Sequence, residues 1–164
     1  MNILLVCTGN TCRSPMASEM LKDMADEVPL LKGELKIKSV GTFAAEDIPA
    51  TQEAVEVMEK MGLDIRRQRS AQFCEEIADW ADIILTMEAK HIEQIEAMVP
   101  RAEEKTHTLL GYGDNIDGFP GDVRYDIPDP FGEPYEEYVE CADMIKTGLE
   151  KAIVRLAADI NKDE

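Results

Sequence analysis

Ile3-Leu4-Leu5-Val6-Cys7-Thr8-Gly9-Asn10-Thr11-Cys12-Arg13-Ser14-Pro15 decides how this chain folds and where its chemistry sits. Its first four residues read as a buried strand. Pro15 opens a helical pattern, with Met16, Met20, Leu21 and Met24 at helical spacing. A cysteine therefore stands where a strand turns into a helix, and an arginine closes the turn. Five residues separate Cys7 from Arg13, the length of a loop whose successive N–H groups curl inward around an anion. The dipole of the following helix adds partial positive charge, and Arg13 offers two parallel donors to phosphate oxygens. Sulfur in such a setting is favoured as the thiolate. Held beneath a bound phosphate, it is a phosphoryl-transfer nucleophile.

Outward from this loop the elements alternate. Period and turn residues predict strands at 2–6, 35–40, 82–87 and 105–110. They predict helices at 14–26, 51–61, 75–80, 88–98 and 136–159, with fraying from 161 to 164. In the second helix Ala54, Val55, Met58 and Met61 share a face, and Gly62 stops it. Such alternation predicts one α/β domain over 1–164, a parallel sheet covered on both faces. Ligands of these folds bind beyond the carboxyl ends of strands, which is where the Cys7 loop lies.

Residues 111–134 stand apart, with five glycines, four prolines and no periodicity. Long loops of this kind in compact domains are usually functional or disordered. Within it runs Asp126-Ile127-Pro128-Asp129-Pro130-Phe131-Gly132. Prolines on either side fix the backbone around Asp129, and Phe131 beside it is placed to wall a pocket. Transfer of phosphate to a thiolate requires an acid to protonate the leaving group. Asp129 is the candidate, and once ionised it could activate the water that clears the phosphocysteine.

Composition narrows the alternatives. The chain has 164 residues, 45% hydrophobic and 31% charged, enough for a real core. Its formal net charge of −17 argues against nucleic-acid binding, which needs a basic face. An anion must then be drawn by a local field, to which Arg66-Arg67-Gln68-Arg69 would contribute unless it is a solvated turn. No stretch is long and apolar enough to span a membrane, and the apolar start lacks the length and basic flank of a secretory signal, so a cytoplasmic protein is expected.

The four cysteines, Cys7, Cys12, Cys74 and Cys141, lack zinc-site spacing. His91 and His107 stand apart from them, and neither lies in a loop that obviously faces Cys7. No metal or cofactor is expected. Cys74 and Cys141 read as buried small hydrophobes. The loop is neither a Walker nucleotide loop nor a Cys-x-x-Cys redox motif.

The stretch from Cys7 to Pro15 resembles the signature of the low-molecular-weight protein tyrosine phosphatase family. Ser39-Val40-Gly41-Thr42 is similar to that family's second-strand end, and Asp129-Pro130 resembles its general-acid motif. The resemblance covers nearly the whole chain. It implies a four-stranded parallel sheet flanked by helices and a two-step mechanism without metal. Cys7 would be the nucleophile, Arg13 the phosphate clamp, and Asp129 the acid and then the base. Thr8, Gly9, Asn10, Thr11, Cys12 and Arg13 would surround the substrate. Asn10 would brace the loop, Ser14 would steady the thiolate, and Cys12 would be positioned to form a protective disulfide with Cys7.

Thr8 and Thr11 together look like the protein-arginine phosphatase branch of the family. Tyrosine-specific members usually carry a bulky aliphatic residue at the position of Thr11 and often further aromatics after the acid's proline. A smaller, polar wall suits a planar cationic guanidinium better than a phenyl ring. Substrates would be phosphorylated proteins, and the absence of exposed heptads or an apolar patch suggests a monomer. The nearest rival is a phosphotyrosine-specific phosphatase. An arsenate reductase would need two further cysteines downstream of the third strand, yet residues 82–98 contain none and Cys74 precedes that strand. A non-enzymatic anion-binding or redox-sensing module would use Cys7 and Cys12 but would have no need of Asp129.

Overall fold

A computed structural model describes residues 1–117 and 123–162. Four parallel strands form one sheet: β1 (Asn2–Cys7), β2 (Lys36–Gly41), β3 (Ile83–Thr86) and β4 (Thr106–Thr108), in the order β2-β1-β3-β4. The helices are α1 (Arg13–Glu27), α2 (Gln52–Lys60), α3 (Glu75–Trp80), α4 (Ala89–Met98), α5 (Leu109–Gly113) and α6 (Tyr135–Lys162). The expected single-domain α/β architecture is what the chain adopts.

Strand alternation distributes β1 between two cores. Ile3, Leu5 and Cys7 face a cluster with Met16, Met20 and Leu21 of α1, Met58 of α2 and Ile145 and Leu149 of α6. Leu4 and Val6 face Ala78, Ile84 and Ile95 on the opposite side. Every one of these side chains is buried, so β1 is anchored on both faces and cannot shift without moving its terminal Cys7.

The strands end together where the loop begins. Cys7 pairs with Gly41 across β1 and β2. A Cβ on Gly41 would stand 2.3 Å from the Thr8 carbonyl oxygen, so only glycine lets the two backbones approach this closely. Thr42 N–H donates to the Cys7 carbonyl at 2.9 Å, and Phe43 N–H to that of Thr8 at 3.0 Å.

Several expectations are corrected. The fourth strand is shorter than residues 105–110, because Thr108 ends it. The Thr108 hydroxyl accepts from Gly111 N–H at 3.1 Å and starts α5, whose Leu109 and Leu110 pack where α6 carries Gly148. Hence part of the stretch expected to lack structure is helical, with a 3₁₀ turn at Val123–Tyr125. In α2 the buried residues are Ala54, Val57 and Met58, while Met61 at its end is exposed. Cys74 is exposed just before α3, not buried; Cys141 is buried, as expected. Asn161 and Lys162 continue α6, and the remainder of the expected frayed segment lies outside the described residues.

Candidate active site

The loop after β1 is held open by its own side chains. Asn10 is in the left-handed region, φ 56°, a conformation asparagine tolerates better than most residues. Its side-chain amide donates to Ser14 Oγ at 2.7 Å and Ser39 Oγ at 3.0 Å, while its oxygen accepts from Ala71 N–H at 3.0 Å. Asn10 thus ties the loop to α1, β2 and the segment before α3. Its backbone N–H lies 3.2 Å from Cys7 Sγ, and Ser14 Oγ lies 2.9 Å from the same sulfur. Asn10 N–H thus donates to the Cys7 sulfur, and Ser14 Oγ stands within hydrogen-bond distance of it.

Arg13, 1% exposed, joins three segments. Its Nη1 bonds the Glu88 carboxylate and the Ile127 carbonyl, the latter at 2.8 Å. Its Nη2 lies 3.4 Å from Thr8 Oγ1 and 3.5 Å from Asp129 Oδ2. Burial disfavours its charge, but the Cys7 sulfur and then the Glu88 and Asp129 carboxylates outweigh that, holding the pKa above its ordinary value. The guanidinium stays charged in the core.

Asp129 is positioned by the segment it belongs to. Ile127 N–H donates to the Met87 carbonyl at 2.8 Å, and Ala89 N–H to Asp126 Oδ1 at 2.7 Å. These bonds pin the segment to the carboxyl end of β3. Asp129 Oδ1 accepts from Phe131 N–H at 3.1 Å. Its side chain remains 43% exposed, facing the site from the solvent side. Cys7, residues 8–13, Ala45, Ile48, Asp129 and Phe131 line one cavity of about 330 Å³. All the expected site residues except Ser14, which sits beneath Cys7, thus share one cavity.

Cys12 differs in environment from Cys7. Burial pushes its thiol upward, against bonds to Thr51, Tyr138 and Thr11. The S–H donates towards Tyr138 Oη at 3.7 Å. The four cysteines carry free thiols.

Glu88, His91, Ala45 and Ile48 were not among the expected site residues. His91 corrects the expectation that both histidines are remote: its Nε2 lies 2.9 Å from Thr8 Oγ1. Both Glu88 and His91 sit at the carboxyl end of β3, beside β1 in the sheet, and form a capping box at the start of α4. A carboxylate immediately after a central strand was the available signal. Arg66 pairs with Asp64 and is exposed, and Arg67 and Arg69 are exposed as well, so this basic run is a solvated turn. No group of three or more His, Cys, Asp or Glu residues among the described residues is placed to hold a metal, and no helix among them is long and apolar enough to cross a membrane.

Residues 2–163 match the family described as low molecular weight phosphotyrosine protein phosphatase. The chain belongs to this family. It is a protein phosphatase by descent, with the fold of its relatives. A protein-arginine-phosphatase of Geobacillus stearothermophilus is 38% identical over 157 residues, 96% of this chain and 97% of that protein. A probable low molecular weight protein-tyrosine-phosphatase, EpsP of Ralstonia nicotianae, is 31% identical over 156 residues, 95% of this chain and 96% of that one. The solved structure of the arginine phosphatase YwlE, with a phosphorylated serine in place of its active-site cysteine, superposes with a TM-score of 0.83. That match has 32% identity and covers 100% of this chain and 98% of the other.

Proposed function

We propose that this phosphatase removes phosphate from phosphoarginine in cytoplasmic proteins through a phosphocysteine intermediate, acting as a monomer without metal or cofactor. In the first step the Cys7 thiolate attacks phosphorus and the P–N bond breaks. Asp129 gives its proton to the departing guanidine nitrogen. In the second step Asp129, now a carboxylate, takes a proton from water. That water attacks phosphorus, the S–P bond breaks, and inorganic phosphate leaves. Arg13 and the loop N–H groups carry the phosphoryl charge throughout.

One observation carries this reading: Cys7, Arg13 and Asp129 line a single cavity with Thr11 on its wall. Thr11 supports arginine over tyrosine because a short polar side chain leaves room and polarity for a guanidinium. The similarity to named arginine phosphatases supports the same choice. A phosphotyrosine reading draws on Ile48 and Phe131, apolar lining that would also accept a phenyl ring. A net charge of −17 weighs against nucleic-acid partners.

Trapping the intermediate tests the mechanism. Turnover of a phosphorylated peptide is quenched on the millisecond scale, and the peptide containing Cys7 is weighed. A phosphoryl group on Cys7 is expected in the parent and none at position 7 in Cys7→Ala, which has no nucleophile there. Full turnover by Cys7→Ala contradicts it.

A further inference from the structure

His91 is fully buried in the first turn of α4, and its ring nitrogens have different partners. Glu88 N–H donates to Nδ1 at 3.0 Å, so Nδ1 carries no proton. Burial, and then the charges of Arg13 and Lys90, lower the imidazole pKa to about 3, so the ring is neutral near pH 7. A neutral imidazole that accepts at Nδ1 bears its proton on Nε2. Nε2–H therefore donates to Thr8 Oγ1, 2.9 Å away. Arg13 Nη2 approaches the same oxygen at 3.4 Å. A hydroxyl has two lone pairs and one proton. Donors address both lone pairs here, so the Thr8 proton must turn away from them, and Thr8 lines the cavity above Cys7.

We propose that His91, through its Nε2–H bond to Thr8 Oγ1, fixes the Thr8 hydroxyl as a donor to the phosphate bound in the Cys7 loop. This rests on the reading of that loop as a phosphate site. Thr8 is then a substrate-binding residue, and His91 a positioning residue that acts only through it. A free hydroxyl would have to lose its rotational freedom on binding; this one is oriented in advance. The anion gains a side-chain donor beside the backbone N–H groups and Arg13. An aliphatic residue at position 8 would supply none.

The two roles of the ring separate by substitution. His91→Asn keeps an acceptor near the Nδ1 position for Glu88 N–H and loses the donor to Thr8. His91→Gln places an amide N–H near the Nε2 position. Binding of inorganic phosphate to the full chain is measured by calorimetry, with thermal unfolding as a control for folding. Thr8→Val and His91→Asn should each weaken phosphate binding about tenfold or more, as expected for one hydrogen bond to an anion. Thr8→Ser and His91→Gln should recover most of that affinity. The double variant Thr8→Val with His91→Asn should bind no more weakly than Thr8→Val alone. Phosphate affinity unchanged by Thr8→Val, or losses that simply add in the double variant, would overturn the inference. If His91→Asn fails to fold, Thr8→Val against Thr8→Ser still decides whether the hydroxyl donates. The functional reading fails separately, if the parent binds phosphate but leaves phosphorylated proteins intact.

Discussion

Glu88 holds the buried guanidinium of Arg13, and through it the cysteine loop, against the carboxyl end of β3. The pair orients Nη1 towards Glu88 and Ile127 and leaves Nη2 facing Thr8 and Asp129. Only one side of the clamp is therefore committed before substrate arrives. The 3.5 Å contact to a partly exposed Asp129 is weak enough for a phosphate to replace.

Glu88→Gln retains the oxygen that caps α4 but removes the carboxylate charge bonded to Arg13 Nη1. Stability should fall by about 1.5–3 kcal/mol, the scale of a hydrogen bond to a charged group. Saturating phosphate should shrink that deficit, because the anion supplies the missing charge. Urea unfolding with and without phosphate checks this. A deficit identical in both conditions would mean that Glu88 acts on the fold alone.

Asp129→Asn removes the proton donor while keeping size. Turnover of substrates with basic leaving groups should fall by roughly 10²–10⁴-fold, the usual range for general acid–base catalysis. Activated aryl phosphates should lose much less, since their leaving groups need little protonation. Parallel steady-state assays distinguish this from a structural role, which would lower both equally.

Oxidation should be reversible in the parent. Peroxide would oxidise Cys7 to a sulfenic acid, and attack by Cys12 on that sulfur would expel water and form a disulfide. Cys12→Ser should make peroxide inactivation largely permanent, because Cys7 proceeds to the sulfinic acid. Recovery with added thiol is the measurement, and full recovery of the variant would exclude a protective role for Cys12.

His91 should impose a pH dependence on stability. Its folded pKa of about 3 lies below the 6.5 of an ordinary imidazole, so below pH 6.5 the unfolded chain takes up a proton that the folded chain refuses. Stability from this group is complete above the unfolded value and falls with pH by up to about 1.4 kcal/mol per unit. Arg13, Lys90, Asp129 and Glu88 surround the ring in both parent and variant, so their titration is shared. His91→Asn should therefore lose less stability than the parent between pH 6.5 and 4.5. Equal slopes in urea unfolding would show that the ring is protonated in the fold.

Much of this was legible in the sequence because local pattern and global fold agree. Residues 3–6 alternate between two cores, and the loop that follows carries Asn10, Arg13 and Ser14, the side chains that brace it, within its own short stretch of sequence. Asp129 could be found because flanking prolines mark it. Glu88 and His91 could not be assigned, since as a helix-capping pair they look ordinary; their second role depends on β3 lying beside β1. Thr108-Leu109-Leu110 reads as strand by composition, but the Thr108 hydroxyl caps a helix instead. Cys74 was misplaced because a lone cysteine carries no local signal of burial.

The substrate is the central claim, and a ratio of specificity constants tests it directly. The parent and Thr11→Ile are assayed on matched peptides carrying phosphoarginine or phosphotyrosine. The parent should favour phosphoarginine. Thr11→Ile should move the ratio towards phosphotyrosine by about 10–200-fold, the worth of one or two pocket contacts. A parent that prefers phosphotyrosine, or a ratio indifferent to Thr11→Ile, would contradict the arginine assignment.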